Sequence, residues 1–296
     1  MGFNRRNFLI RTVTAIIFAA VMLAGLLWNQ WSFLILFSII HFGCWWEYLN
    51  LVEKIHKIKI EIEFKVLSML SGYFLFWILC AKRFQIDFSI QIAEMQVSLK
   101  WIFLIFILFF LLIYLLANRK IKARVKWMIL SGFVYISLSL ALMVNLYSEM
   151  DVHVHDTKYV FGRSHLPLAI VISIWINDTM AYLVGSMIGR TPLSKISPKK
   201  TWEGTLGGII LSIVLVGLIS YYGLKVEWLA IPLMIVAALA AIAGTFGDLL
   251  ESKLKRLAGV KDSGKLMPGH GGFLDRFDSM LLAIPAVWLY VYFFLN

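Results

Sequence analysis

Long apolar runs separated by short polar segments make up most of this chain. Each run is close to the roughly 20 residues that a helix needs to cross about 30 Å of hydrocarbon. The runs predict nine membrane-spanning helices, near residues 10–28, 31–50, 65–81, 100–117, 128–147, 166–188, 204–223, 228–247 and 279–295. Asn29 and Gln30 alone separate the first two runs, which predicts either a tight helical hairpin or one broken hydrophobic unit.

Composition supports an all-α polytopic integral membrane protein. Hydrophobic residues make up 60% of the chain, and 22 Phe with 11 Trp in 296 residues are more than a soluble core can bury. The basic start resembles a signal peptide, but Arg11 interrupts its apolar part and another apolar run follows, so we expect a retained first span. Cys44 and Cys80 have no metal-site spacing, and we expect buried free thiols.

Basic residues predict the orientation of the spans. With the N-terminus inside and the C-terminus outside, 22 of the 28 Lys and Arg fall in inner segments, which agrees with the positive-inside rule. The net charge of +11 then faces the cytoplasm and anionic lipid head groups. We expect a multi-pass protein, in the inner membrane if the source is bacterial. Topology explains the basic run 118–126, and no nucleic-acid partner is expected.

Motifs divide the chain more clearly than linkers do. Residues 1–150 contain about five spans and no motif, whereas residues 151–296 contain about four spans and two inner loops rich in charge. The second region is therefore the expected catalytic region.

Asp178 lies in the middle of an apolar run, where a carboxylate costs about 2.5–3.5 kcal/mol on insertion scales. Helical spacing places Trp175, Asp178, Tyr182 and Gly185 on one face, with Asn177 on its flank. A functional site is the first interpretation, and a carboxylate neutralised by a lysine of a neighbouring helix or by protonation is the alternative.

A second acidic stretch leaves the end of an apolar run. Asp248, Glu251, Ser252 and Lys255 share one helical stripe. Gly244 and Gly247 precede it and allow another backbone or a ligand to approach closely.

The stretch 261–279 combines three Lys or Arg, three Asp, one His and four Gly between apolar segments. Asp275 and Asp278 are one helical turn apart at the start of the last span. Helix capping would explain Asp278, but not Asp275, His270, Arg276 and the Gly271-Gly272 pair together.

The inner loop 189–204 places Lys199 and Lys200 directly before a helix start, with Glu203 in its first turn. We expect free backbone amides there, which with two lysines suit phosphate. A topogenic role is the alternative for these lysines.

These four stretches open to the same compartment under the predicted orientation. Carboxylate oxygens suit Mg²⁺, and Lys or Arg with backbone amides suit phosphates. The patterns GxxxxGK[ST] and GxGxxG are absent from the sequence. The residues therefore predict metal-assisted phosphate chemistry at the cytoplasmic face of a membrane.

The run from Ser252 to Asp278 resembles the signature of the phosphatidate cytidylyltransferases, or CDP-diacylglycerol synthases. The matching positions are Ser252, Lys255, Arg256, Lys261, Asp262, Pro268, His270, Gly271, Gly272, Asp275, Arg276 and Asp278. Met267 replaces the usual Leu or Ile, a volume-conserving change. The stretches "WINDTMAYLVGSMIGR" and "SPKKTWEG" also agree, so the resemblance covers roughly the last 130 residues.

The resemblance implies a homodimeric membrane enzyme that joins CTP and phosphatidic acid of the inner leaflet into CDP-diacylglycerol and pyrophosphate. It implies Mg²⁺ on Asp248 and Asp275, with K⁺ as an optional second ion. The expected catalytic residues are Asp178, Lys200, Lys261, His270 and Asp278. The expected substrate-binding residues are Ser197, Lys199, Lys200, Ser252, Arg256, Lys261, Asp262, Gly271, Gly272 and Arg276.

Three other readings of the sequence compete with this one. A polyprenol or dolichol kinase-like enzyme also uses CTP at a membrane, but it does not explain the run His270 to Asp278. A transporter would concentrate its polar residues at mid-membrane, and a purely structural protein leaves the acidic clusters unexplained.

The predicted outer loop after the fifth span contains Asp151, His153, His155 and Asp156. We expect a solvated loop there rather than a metal site.

Overall fold

A computed structural model describes most of the chain. The described residues are 5–83, 89–92, 95–98, 101–107, 109, 113, 122–147, 150–154, 157–223, 227–264 and 271–295. The first part contains α1 (Arg5–Leu27), α2 (Gln30–His56), α3 (Ile62–Arg83), β1 (Ser89–Ile92), β2 (Met95–Ser98), α4 (residues 101–107), α5 (Ala123–Gly132), a π-helical stretch (Phe133–Leu138) and α6 (Ser139–Leu146). The second part contains β3 (Met150–Val154), β4 (Thr157–Phe161), α7 (His165–Ile188), α8 (Trp202–Leu218), a π-helical stretch (Ile219–Gly223), α9 (Glu227–Leu257) and α10 (Leu274–Phe294).

Six helical segments of the described chain are long and apolar enough to cross a membrane. They are Gln30–His56, Ala123–Leu146, His165–Ile188, Trp202–Gly223, Leu229–Leu257 and Leu274–Phe294. The protein is therefore a helical multi-pass membrane protein. Of the other three predicted spans, the first coincides with α1, whose apolar part Thr12–Leu27 is shorter, and the third with α3. Half of the fourth lies outside the described residues and the described half includes α4, so a total of nine stays a prediction.

Two short antiparallel hairpins, β1–β2 and β3–β4, accompany the helices. The all-α prediction did not include them. His155 and Asp156, from the alternative metal site, lie outside the described residues.

The chain forms two compact units. The first comprises Met1–Asn145 and Leu257–Asp275, and the second comprises Leu146–Arg256 and Arg276–Asn296. The first unit thus includes part of the segment that carries the signature.

In the first unit, α1 and α2 form the predicted tight hairpin. The side chain of Asn29 accepts from the backbone N–H of Trp31 (2.8 Å) and Ser32 (2.9 Å), and the Ser32 hydroxyl accepts from the N–H of Asn29 (3.0 Å). This capping box satisfies amides that have no partner inside a helix. It explains why the helix restarts at Gln30.

The core of the first unit is built around α2. Phe33, Phe37 and Trp45 are fully buried, and the indole N–H of Trp45 donates to Ser137 Oγ at 2.8 Å. Ser137 belongs to the π-helical stretch, so this contact joins that stretch to α2. Cys44 is a buried free thiol, as predicted.

In the second unit, small residues bring pairs of helices together. A Cβ at Gly208 of α8 would lie 2.8 Å from Ala181 Cβ of α7. A Cβ at Gly247 of α9 would lie 3.1 Å from Ser279 Cα of α10. The predicted close approach at Gly247 is therefore confirmed, and its neighbour is the backbone of the last helix.

Candidate active site

A cavity of about 540 Å³ lies beside α7 in the second unit. Five of the predicted site residues line it, from three separate parts of the chain: Asp178, Ser197, Lys199, Lys200 and Asp248. Residues from a mid-helix position, a loop and the α9 helix thus share one cavity that contains both carboxylates and cations.

Asp178 faces this cavity as the helical spacing predicts. Tyr182 and Gly185, which lie on the same face, also line the cavity, whereas Trp175 is not among the lining residues. The side-chain amide of Asn177 donates to Asp178 Oδ1 at 3.4 Å, and Asp178 itself is exposed to the cavity. The carboxylate therefore lies at a cavity rather than against packed apolar side chains, the kind of surroundings that a charge inside an apolar helix requires.

Asp248 carries two contacts within the second unit. Its Oδ2 atom forms an ion pair with the Lys200 ammonium, and its Oδ1 atom accepts from Ser252 Oγ at 3.2 Å. The side chains of Lys200 and Asp248 remain 31% and 27% exposed. The pair is therefore accessible from the cavity, where an incoming anion could compete for the lysine.

The loop between α7 and α8 is folded back on itself, which directs both lysines to the cavity. Leu193 N donates to Lys200 O (2.7 Å) and Trp202 N donates to Thr191 O (2.9 Å). The carboxylate of Glu203 accepts from the backbone N–H of Thr191 (3.2 Å). These contacts hold the two ends of the loop together.

The expectation of free amides at the start of α8 is wrong for two of them. Trp202 N donates to Thr191 O, and Gly204 N donates to the Thr201 hydroxyl at 3.1 Å. The loop and the cap residue satisfy these two donors, so neither is free to bind an anion in this structure.

The polar stripe on α9 is confirmed. Ser252 donates to Asp248, and one turn further Lys255 forms an ion pair with Glu251, which is fully buried. A buried carboxylate is stable only when it is paired. The stripe thus contains one accessible pair and one buried pair.

Asp278 is buried, with 8% exposed, and its Oδ1 atom accepts from the backbone N–H of Ser279 at 2.6 Å. It lies where α10 packs on Gly247. Its predicted catalytic role stays a prediction.

Asp275 belongs to the first unit and has a different set of neighbours. Its Oδ2 atom accepts from Ser263 N (2.8 Å), Ser263 Oγ (2.9 Å) and Gly272 N (2.8 Å). Gly271 has a φ of 83°, in the left-handed region that favours glycine. The Gly272 amide donates to Asp275 in this structure. Its predicted contact to a phosphate stays a prediction.

Sequence reasoning missed Glu47 in α2. Its carboxylate accepts from the backbone N–H of Phe273 (2.9 Å) and Leu274 (2.9 Å) and contacts Ser263 Oγ (2.6 Å). Glu47 is a carboxylate inside the apolar run 31–50. The same kind of placement singled out Asp178, so this signal was available in the sequence.

Four further predicted residues are exposed at the ends of helices or in the following loop: Arg256, Lys261, Asp262 and Arg276. His270 lies outside the described residues. Within the part of the chain that the structure describes, no three His, Cys, Asp or Glu side chains are close enough together to hold a metal ion.

Residues 9–294 match the profile of the Cytidylyltransferase family, which covers nearly the whole chain. The chain belongs to this family. Among its relatives, a phosphatidate cytidylyltransferase from Synechocystis sp. is 48% identical over 118 residues, which is 40% of each chain. One from Bacillus subtilis is 42% identical over 132 residues, 43% of this chain and 47% of that enzyme.

A third relative is phosphatidate cytidylyltransferase 4 of Arabidopsis thaliana chloroplasts. It is 44% identical over 131 residues, 40% of this chain and 32% of the relative. Each of these matches therefore spans less than half of the curated relative.

Proposed function

We propose that this member of the cytidylyltransferase family transfers the cytidylyl group of CTP to phosphatidic acid. The products are CDP-diacylglycerol, a precursor for phospholipid synthesis, and pyrophosphate. The observation that carries the proposal is the cavity that brings Asp178, Lys199, Lys200 and Asp248 together. The names of the relatives support the same reaction.

The reaction requires little covalent help from the protein. An oxygen of the lipid phosphate attacks the α-phosphorus of CTP in line, and the bond from that phosphorus to the bridging oxygen breaks as pyrophosphate leaves. A phosphate monoester has a second pKa near 6, so the nucleophile is largely ionised near pH 7. Positioning and neutralisation of charge are then the main tasks of the site.

Lysines of the cavity supply part of this neutralisation. Lys200 exchanges its Asp248 partner for a CTP phosphate, and Lys199 and Ser197 lie along the same cavity. Charge-assisted hydrogen bonds of this kind are roughly twice as strong as neutral ones. The other residues proposed to bind substrate are Ser252, Arg256, Lys261, Asp262, Gly271, Gly272 and Arg276. His270 or Asp178 accepts any last proton of the lipid phosphate.

Asp248 and Asp275 are proposed to hold Mg²⁺. The donor set fits this ion, because Mg²⁺ is commonly bound through one or two carboxylates together with substrate phosphates and water. When bound, the ion would neutralise and orient the triphosphate. A K⁺ ion is a further proposal from the resemblance alone.

The proposal places the site on the cytoplasmic side of the membrane, in a homodimer with nine spans, the N-terminus inside and the C-terminus outside. The excess of basic residues in the predicted inner segments supports this orientation. Phosphatidic acid would enter from the inner leaflet, since its acyl chains stay in the bilayer.

In the deciding experiment, purified protein in detergent is incubated with phosphatidic acid and with CTP labelled in the cytosine ring. One reaction contains Mg²⁺ and the other contains EDTA. We expect labelled CDP-diacylglycerol and one pyrophosphate per lipid product, with Mg²⁺ only. A parallel reaction replaces phosphatidic acid by diacylglycerol. Phosphorylation of that alcohol with release of CDP would instead show a kinase, and no product from folded protein with either lipid would refute the proposal.

A further inference from the structure

Glu47 lies in the middle of α2, a helix for which the sequence shows no motif. Its side chain is buried, with 6% of the residue exposed. Its Oε1 atom accepts from Phe273 N and its Oε2 atom from Leu274 N, both at 2.9 Å. These amides belong to the start of α10, where N–H groups have no partner inside the helix. Glu47 therefore caps α10 from a distant part of the chain, and the helix dipole favours its negative charge.

Ser263 joins Glu47 to Asp275. Its hydroxyl oxygen lies 2.6 Å from Glu47 Oε2 and 2.9 Å from Asp275 Oδ2. The backbone N–H of Ser263 donates to the same Asp275 oxygen at 2.8 Å. A displacement of Ser263 would therefore disturb two of the contacts that orient Asp275.

Three glycines fit closely around this arrangement. A Cβ at Gly264 or at Gly272 would overlap the Glu47 carboxylate. A Cβ at Gly43, one turn before Glu47 on α2, would overlap the ring of Phe273. The loop and α2 are thus complementary at several positions, which a single chance hydrogen bond would not produce.

We propose that Glu47 is a positioning residue that fixes Ser263, the start of α10 and, through them, the Asp275 carboxylate. This inference rests on the proposed function, because the orientation of Asp275 matters for the reaction only if that carboxylate binds Mg²⁺. Groups that orient a metal ligand typically change metal affinity or activity by about 10–100-fold when they are removed. The region 1–150 thus contributes to the site despite its lack of a motif.

The first test is amide hydrogen exchange in EDTA, which needs no metal and no activity. Glu47→Gln offers one acceptor oxygen instead of two, so Phe273 or Leu274 loses its partner. We expect faster exchange in the peptide that covers residues 271–277. The matched control is Glu53→Gln on the same helix, where Glu53 binds Lys65 Nζ (2.8 Å) and Ile60 N (2.7 Å). Unchanged exchange in the Glu47→Gln variant would overturn the proposal.

The second test measures the Mg²⁺ concentration for half-maximal activity. We expect about a tenfold increase for Glu47→Gln, a smaller increase for Ser263→Ala, and no change for Glu53→Gln. A purely structural role would reduce the amount of active enzyme and leave the Mg²⁺ requirement unchanged. That outcome would refute positioning.

A double-mutant cycle keeps the proposal testable if Glu47→Gln folds poorly. Gly272→Ala places a methyl group against the Glu47 carboxylate and should lower the thermal midpoint in detergent. In a Glu47→Ala background the methyl group has room, so Gly272→Ala should lower the thermal midpoint much less than it does with Glu47 present. Additive losses would contradict the contact. Amide hydrogen exchange and the double-mutant cycle need no catalysis. If the proposed reaction failed, both measurements could still be made, so its failure is distinguishable from failure of this inference.

Discussion

Asp248 on α9 and Asp275 at the start of α10 have the same predicted role and very different neighbours. Asp248 binds a lysine side chain and a serine hydroxyl, whereas the Oδ2 atom of Asp275 is held by two backbone amides and a serine hydroxyl. The Lys200 side chain is long and partly exposed, so its contact can be exchanged. The amides around Asp275 belong to a loop whose position Glu47 secures.

This difference separates two ways of preparing a carboxylate for a cation. A neutralising lysine keeps Asp248 paired until a more negative group arrives, and the same lysine can then contact that group. Fixed backbone donors orient Asp275 in advance, so less conformational freedom is lost on binding. We infer that Asp248 responds to the substrate, whereas Asp275 is preorganised.

The largest expected effect comes from removing either carboxylate charge. Asp248→Asn and Asp275→Asn should each lower the turnover number at least about 100-fold, because a bound metal supplies several kcal/mol of charge stabilisation. Turnover per folded protein, with folding checked by size-exclusion chromatography, is the measurement. Activity close to wild type in either variant would remove that residue from the metal site.

The same two variants should differ in stability. Asp248→Asn leaves Lys200 without its partner, and a further Lys200→Met change should restore part of the lost thermal midpoint. Asp275→Asn combined with Lys200→Met should show no such recovery. Recovery in both backgrounds would mean that the two carboxylates do not differ in the way described.

Lys200→Ala should raise the KM for CTP by about 10–100-fold, the loss expected for a hydrogen bond to a charged group. Lys195→Ala is the control, since Lys195 is exposed on the same loop and is not among the cavity-lining residues. Steady-state kinetics at fixed Mg²⁺ gives both values. Equal effects of the two changes would indicate general attraction of CTP by the basic loop and not a contact from Lys200.

Helical periodicity predicted the parts of the site that depend on one helix. The face of Asp178, Tyr182 and Gly185 and the α9 stripe follow from the 3.6-residue repeat, and both are present. The hairpin at Asn29 follows from a local capping pattern. Each of these features has its cause within a few neighbouring residues.

Features that depend on distant contacts were missed. Glu47 and Ser263 are 216 residues apart, and no spacing rule connects them. The amides at the start of α8 were expected to be free because the fold-back of residues 191–201 is a tertiary feature. The glycine at position 272 suggested a phosphate contact, although the neighbour that requires it is the Glu47 carboxylate.

Gly247→Ala should destabilise the protein by about 1–3 kcal/mol, the usual cost of overpacking. Its Cβ would lie against the backbone of Asp278 and Ser279, which cannot move aside as a flexible side chain could. Gly223→Ala is the matched control, because its nearest neighbour is Ile219 Cγ2 at 3.8 Å. Thermal midpoints in detergent compare the two. A tolerated Gly247→Ala would contradict the close contact between α9 and α10.

The smallest effect is expected at Asn29, which caps the N-terminus of α2, whereas Glu47 lies in the middle of that helix. Asn29→Ala removes the cap of α2 and should lower the free energy of unfolding by about 1 kcal/mol. The Mg²⁺ requirement should stay at the wild-type value, because the capping box makes local contacts, to Trp31, Ser32 and the end of α1. Both quantities should be measured for Asn29→Ala and for Glu47→Gln under the same conditions. If Asn29→Ala raised the Mg²⁺ requirement as much as Glu47→Gln, any loosening of α2 would be sufficient, and the specific role of the Glu47 carboxylate would be lost.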